Sequence, residues 1–131
     1  LLQRLDGFRQ ALPSECIPCQ EFEEDDEEFQ QVVQYCLKSD KCIGIFTGAG
    51  RVAARLHSML LLAGLVPGKR IKLLGYDDLY LSSHLSPAIC NVSQPFQQAA
   101  ALAVKKLVDC IYDRPVESEM LKPSLIIRET T

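Results

Sequence analysis

Leu73-Leu74-Gly75-Tyr76-Asp77-Asp78 is the stretch on which the reading of this chain turns. With Ile71 ahead of it, the apolar run reads as a buried strand that stops at a glycine, an aromatic and two adjacent carboxylates. In an open α/β sheet, ligands bind just beyond the carboxyl ends of the strands, where loops carry polar groups into a crevice. Two acids at such a point suit hydroxyl recognition, because an ionised carboxylate accepts hydrogen bonds through both oxygens. Taken alone, the dipeptide also fits a solvated turn with an aspartate capping the next helix.

Just upstream, Cys42-Ile43-Gly44-Ile45-Phe46 reads as a second buried strand, turning through Thr47-Gly48-Ala49-Gly50. That turn lacks the glycine spacing, lysine and hydroxyl of a phosphate loop, so no phosphate site is expected. The helix predicted over about Arg51 to Ala63 is apolar on more than one face. Val52, Leu56, Met59, Leu60 and Ala63 share one side, with Leu61 and Leu62 beside them. A helix of that kind is covered on more than one side. Gly64 ends it and Pro67-Gly68 makes a turn. His57 falls on its polar side and is expected at the surface.

At the start of the chain, Leu5, Phe8 and Leu12 share a helical face that Pro13 closes. A short strand is expected over Ile17 to Phe22, irregular or at an edge because of Pro18. Glu21 to Glu28 carries seven acids in eight positions. Phe29, Val32, Val33, Cys36 and Leu37 then recur at helical spacing, so the acids read as the front of a helix, complementing its dipole. A calcium loop would need spaced ligands and a central glycine.

Downstream of the aspartates, 79–85 reads as a short helical turn before Pro87. Ala88 to Val92 reads as a strand, and Gln97 to Tyr112 as a helix striped by Ala100, Val104, Leu107, Val108 and Ile111. Ser124 to Arg128 reads as a final strand. Alternating helices and strands predict an α/β fold, a mostly parallel sheet flanked by helices.

The 131 residues make one domain or a piece of one, and 47% hydrophobic content is enough for a core. No apolar stretch approaches the roughly 20 residues of a membrane span. The chain opens Leu1-Leu2-Gln3-Arg4, without Met and without a leader-like segment, and reads as a piece of a longer protein. A net charge of −3 without a basic stripe predicts no nucleic-acid surface. The six cysteines include one CxxC, Cys16 and Cys19, but no second close pair, so neither a metal nor a redox site is expected. Cys36 falls at an apolar helical position, and Cys42 and Cys90 in predicted strands, as free buried thiols do.

Several local patterns then fall in order. They are Arg4-Leu5-Asp6-Gly7-Phe8 ahead of Ala11-Leu12, then Ala63-Gly64-Leu65-Val66-Pro67, Leu74-Gly75-Tyr76-Asp77-Asp78, Pro87 and Val92-Ser93-Gln94-Pro95. Ala103, Leu107, Arg114-Pro115 and Leu125-Ile126-Ile127-Arg128-Glu129-Thr130-Thr131 complete them. Each is weak alone. Together they span nearly the whole chain and resemble the effector-binding domain of the LacI/GalR family of bacterial transcription regulators, which has the type I periplasmic-binding-protein fold.

The resemblance implies that residues 1–131 form the C-terminal lobe of such a domain, a partial effector-binding and dimerisation domain. Residues 95–121 would pack on an N-terminal lobe outside this chain, and a headpiece, also outside it, would bind DNA. Arg4 would sit at the crevice floor and donate a forked pair of hydrogen bonds to the ligand. Asp77 would accept from sugar hydroxyls or base nitrogens, and Gln94 and Phe96 would lie at the crossover between lobes, the Phe96 ring offering an apolar face. Leu56, Met59, Leu60, Leu79, Leu81, Ser82 and Leu85 would form a homodimer interface. The expected ligand is a sugar or a similar small polar molecule, with no cofactor, in the cytoplasm. One departure stands out: where many members carry Asn-Asp after the first strand, this chain has Ala49-Gly50, which removes a polar ligand contact.

Two rivals remain. An enzyme could use Asp77 and Asp78 as an acid–base pair assisted by His57 or His84, but adjacent residues point apart and neither histidine sits in a triad or metal motif. A periplasmic sugar-binding protein of a transporter shares the fold and differs in what precedes it: a signal peptide rather than a helix-turn-helix.

Overall fold

The computed structural model describes residues 2–13 and 25–131. The strand expected over Ile17–Phe22, the Cys16/Cys19 pair and the first half of the acidic run lie outside the described residues.

α1 (Leu2–Ala11) is followed by α2 (Asp26–Lys38), where Asp25 is the N-cap and its carboxylate accepts from the Glu28 amide at 2.8 Å. The acids before Phe29 therefore stand at the positive end of a helix. Phe29, Val32, Val33 and Cys36 are its buried face. At its other end Arg70 donates to the carbonyls of Cys36 (2.8 Å) and Ser39, covering acceptors that a helix leaves open.

β1 (Ile43–Phe46), β2 (Ile71–Tyr76), β3 (Cys90–Ser93) and β4 (Ser124–Ile126) form one sheet in that order. β1 pairs with β2 and β2 with β3 in parallel, while β4 runs antiparallel to β3. The sheet is thus mostly parallel, as expected, with an antiparallel edge. Cys42 falls just before β1 and is exposed rather than in the strand.

α3 (Gly50–Leu62) crosses between β1 and β2, and a short 3-10 turn (Tyr80–Ser83) lies between β2 and β3. Gly64, at φ 75°, ends α3 with the amides of Gly64 and Leu65 returning to the carbonyls of Leu61 and Leu60. That is a Schellman cap, and it needs a residue at ease in left-handed backbone. α2 and α3 cover one face of the sheet, where Ile71, Leu73 and Ile89 join Ala53, Leu56 and Leu60 in the core. On the opposite face the Phe8 ring of α1 stacks on Phe46, centroids 5.1 Å apart.

His57 corrects the sequence reading. It is 1% exposed, and its Nε2 lies 2.9 Å from the Pro87 carbonyl oxygen. The segment before β3 folds back over this side of α3, and the imidazole is placed by that one bond. Burial holds its pKa below the usual histidine value, against the pull of the Pro87 carbonyl.

α4 (Phe96–Ile111) has no buried residue, and Val104, Leu107, Val108 and Ile111 are exposed along it. Among the described residues no helix is long and apolar enough to cross a membrane.

The tail after β4 is bound tightly. Thr130 Oγ1 donates to Leu73 O at 2.7 Å and accepts from the Cys90 amide at 2.9 Å, while Leu73 N–H donates to Thr130 O. Ala88 and Glu129 exchange a further pair of bonds. The tail therefore fills the gap between the first residues of β2 and β3.

Candidate functional site

Three parallel strands end at one rim of the sheet, and the turns that leave them carry the polar groups. β1 passes into Thr47 and Gly48, β2 into Asp77 and Asp78, and β3 into Gln94. β2 stops at Tyr76, so both aspartates stand just past a strand end, where the sequence placed them.

The two aspartates then part. Asp77 adopts left-handed backbone, φ 69°, and its amide donates to Val92 O at 2.9 Å. Asp, with a short polar side chain, tolerates this conformation better than most residues. One oxygen of its carboxylate accepts from Gln94 Nε2 at 2.5 Å, and the other lies 3.5 Å from Arg4 Nη1. Asp78 points the other way. Its two oxygens accept the fork of Arg128 at 2.7 and 2.8 Å, and Asn91 Nδ2 donates to it at 3.3 Å. Asn91 lies on the α3 face of the sheet, beside Gly75 and Ala53. Asp78 is therefore held by protein alone, and the Arg128 cation is further stabilised by that bond.

Arg4 reaches the rim from α1. Its Nη1 donates to Gly48 O at 2.6 Å, and its guanidinium lies 3.9 Å from the centre of the Tyr76 ring. Tyr76 meets Phe46 edge to face, and Phe46 stacks on Phe8. An aromatic wall of Phe8, Phe46 and Tyr76 thus carries a cation at its lip, an arrangement in which ring faces attract the guanidinium. Sequence reasoning left all three rings out of the site. A usable signal was present: Phe46 and Tyr76 each end a parallel strand on the same face, and Phe8 follows Arg4 by one helical turn.

Of the four residues expected at the crevice, Arg4, Asp77 and Gln94 meet directly. Phe96 opens α4 two residues beyond Gln94 and is 59% exposed. A carboxylate with a guanidinium beside one oxygen and an amide bonded to the other makes a compact polar cluster. Both aspartate oxygens can accept, and Arg4 can donate.

At the departure from the family pattern, Ala49 is the N-cap of α3 and gives no side-chain cap. A Cβ on Gly50 would stand 2.4 Å from the Asp77 carbonyl oxygen and 2.9 Å from Leu79 Cγ. The turn after β2 occupies the space that a side chain at position 50 would need.

The residues expected at a dimer interface divide. Leu56, Leu60 and Ser82 are buried within the chain, so they are not surface groups: the apolar side of α3 that holds both leucines packs on β2. Met59 and Leu85 are part-buried against the core, and Leu79 and Leu81 are exposed. Tyr80, 84% exposed, adds apolar surface between Leu79 and Leu81, and Leu62, 86% exposed, stands at the far end of α3. The His84 ring lies tilted against Tyr80, centroids 4.3 Å apart, and His57 binds the Pro87 carbonyl, so the two histidines have partners other than the aspartates.

A mostly parallel sheet with helices on both faces, and a polar cluster beyond the carboxyl ends of its strands, has the form of a lobe of the periplasmic-binding-protein type. The model of the periplasmic binding protein-like domain matches residues 2–131, and the chain belongs to this family. It is similar to the ribose operon repressor of Escherichia coli K12, 25% identical over 135 residues that take in 96% of this chain and 40% of the repressor. The chain thus spans about two fifths of the length of that relative. Among solved structures, it resembles a periplasmic binding protein/LacI transcriptional regulator from Alkaliphilus metalliredigens QYMF complexed with D-xylulofuranose. The TM-score is 0.71 with 26% identity, covering 98% of this chain and 49% of the other. The lac repressor dimer bound to operator matches with a TM-score of 0.67 and 26% identity, over 79% of this chain and 36% of the other. These similar proteins include transcription repressors.

Proposed function

We propose that this chain is the C-terminal lobe of the effector-binding domain of a bacterial transcription regulator that senses a sugar or sugar-like molecule. The observation that carries the reading is the meeting of Arg4, Asp77 and Gln94 at the carboxyl ends of the strands. A guanidinium, a carboxylate and an amide on an aromatic wall match a ligand rich in hydroxyls, with apolar ring faces between them. Phe96, exposed at the start of α4, supplies a further apolar face on the side toward a second lobe. The similarity to a ribose operon repressor and to a periplasmic binding protein/LacI transcriptional regulator solved with D-xylulofuranose supports a pentose-like effector, and the similarity to repressors favours a regulator over a transporter component.

In the intact protein, residues 95–121 pack on the N-terminal lobe, which gives the apolar stripe of α4 its cover. DNA is reached through a headpiece outside this chain, and the regulator works in the cytoplasm. A homodimer forms through the exposed Leu79 and Leu81 with the part-buried Leu85 and Met59; Leu56, Leu60 and Ser82, buried within the chain, take no part in it. Apolar patches of that kind mark interfaces, and a symmetric pair is the commonest closed assembly.

Calorimetry on the intact protein with D-ribose and D-xylulose as probes tests the effector site. Asp77→Ala should cost about 1.5–3 kcal/mol of binding, the worth of a hydrogen bond to a charged group. Unchanged affinity removes Asp77 from the site. Sedimentation of Leu81→Asp, expected as a monomer, tests the interface.

A further inference from the structure

We infer that Arg128 is a positioning residue for the effector crevice: by clamping Asp78 with its guanidinium fork, it holds the left-handed turn from which Asp77 meets Arg4 and Gln94. This rests on the reading of the crevice given above and extends it to the far end of the chain.

Left-handed backbone is costly for a residue with a Cβ and persists only where its surroundings fix it. Asp77 is fixed from two sides. Toward the strand, its amide continues the β2–β3 ladder by donating to Val92 O. Toward the loop, the next residue cannot turn, because both oxygens of Asp78 are held by Arg128. Rotating the peptide between the two aspartates would swing Asp77 away from Gln94 and break that fork at once.

Arg128 is itself held by further bonds. Its Nη1 also donates to Ile89 O at 2.7 Å, its amide donates to Cys90 Sγ at 2.9 Å, and both partners of the ion pair are 17% exposed. Thr130, two residues on, is locked between Leu73 and Cys90. A planar fork anchored in this way sets direction as well as charge, which a lysine ammonium does not. The neighbouring carboxylates thus have separate tasks: Asp77 faces the ligand, and Asp78 is the handle by which the tail aims it.

The experiment uses the intact protein, Arg128→Lys, and D-ribose and D-xylulose as probes in calorimetry. Affinity should fall roughly two- to thirtyfold, the range a change within a coupled network gives without touching the ligand. In an Asp77→Asn background the same change should cost nothing further. A second readout needs no ligand. Hydrogen exchange at the Asp77 amide should quicken relative to the Thr47 amide, which bonds to Leu74 O away from the clamp. A lower melting temperature with unchanged affinity and unchanged exchange ratio would overturn the inference, as would an equal cost in the Asp77→Asn background. If neither sugar binds the parent protein, the pentose reading fails and the exchange ratio alone decides: a faster Asp77 amide upholds the positioning role, and an unchanged one refutes it.

Discussion

Replacing Gly50 by alanine places a methyl group where the backbone of Asp77 now lies. The added Cβ would stand 2.4 Å from Asp77 O, 2.9 Å from Leu79 Cγ and 3.2 Å from Leu79 Cδ1. Since about 3.3 Å is the short end of ordinary carbon–oxygen approach, the turn after β2 must retreat by about 0.9 Å. Leu79 can swing aside; the Asp77 carbonyl cannot, because its own amide is tied to Val92 and its neighbour to Arg128. Forced insertion into packed surroundings costs about 1–3 kcal/mol. Alanine recovers at most about 1 kcal/mol over glycine in a helix interior, and less at this first helical position. The net loss should be about 1–2 kcal/mol, read as a lower denaturant midpoint of the intact protein. Effector affinity should fall as well, by about tenfold if the displaced carboxylate gives up 1.4 kcal/mol of its bonding. Gly44→Ala is the matched control. A Cβ there meets nothing within 4 Å, so stability should hold or rise. If Gly50→Ala is as stable and binds as tightly as the parent, the close approach of α3 to Asp77 is not what shapes this rim.

Two further outcomes are expected. Ala49 has extended backbone (φ −152°, ψ 144°) and caps α3 with no side chain, so Ala49→Ser should add about 1 kcal/mol, seen as a higher melting temperature. No gain would mean that the first amides of α3 are already satisfied. His57 is buried with its pKa below the usual 6.5, so the unfolded chain takes up its proton first as pH falls. Its contribution is therefore fully present above about pH 6.5 and is lost progressively below it, toward the folded-state value. His57→Gln should flatten that part of the stability profile in urea melts at successive pH values, and an unaltered slope would assign the titration to other groups.

How far the sequence could be read depended on how local the deciding interaction is. β2 and the aspartates beyond it were legible because an apolar run and its polar stop lie within a few residues. α4 was legible because its stripe repeats at 3.6 residues regardless of what covers it. On α3 the same periodicity marked Leu56, Leu60, Leu61 and Leu62 as apolar, but could not tell which of two apolar sides meets the sheet. Two leucines expected at an interface are core, while Leu62 is 86% exposed. His57 misled for a related reason. Its side of the helix looks polar, and only the return of the chain 30 residues later puts the Pro87 carbonyl over it.

The site shows the same boundary more sharply. Arg4 came to notice through resemblance, yet the rings that support it belong to three elements brought together by sheet order, which no single helix or strand pattern encodes. Nothing in Asp77-Asp78 itself says which carboxylate turns toward Arg4 and Gln94. What breaks the tie is Arg128, 50 positions further on, which takes Asp78 and so leaves Asp77 to Arg4 and Gln94.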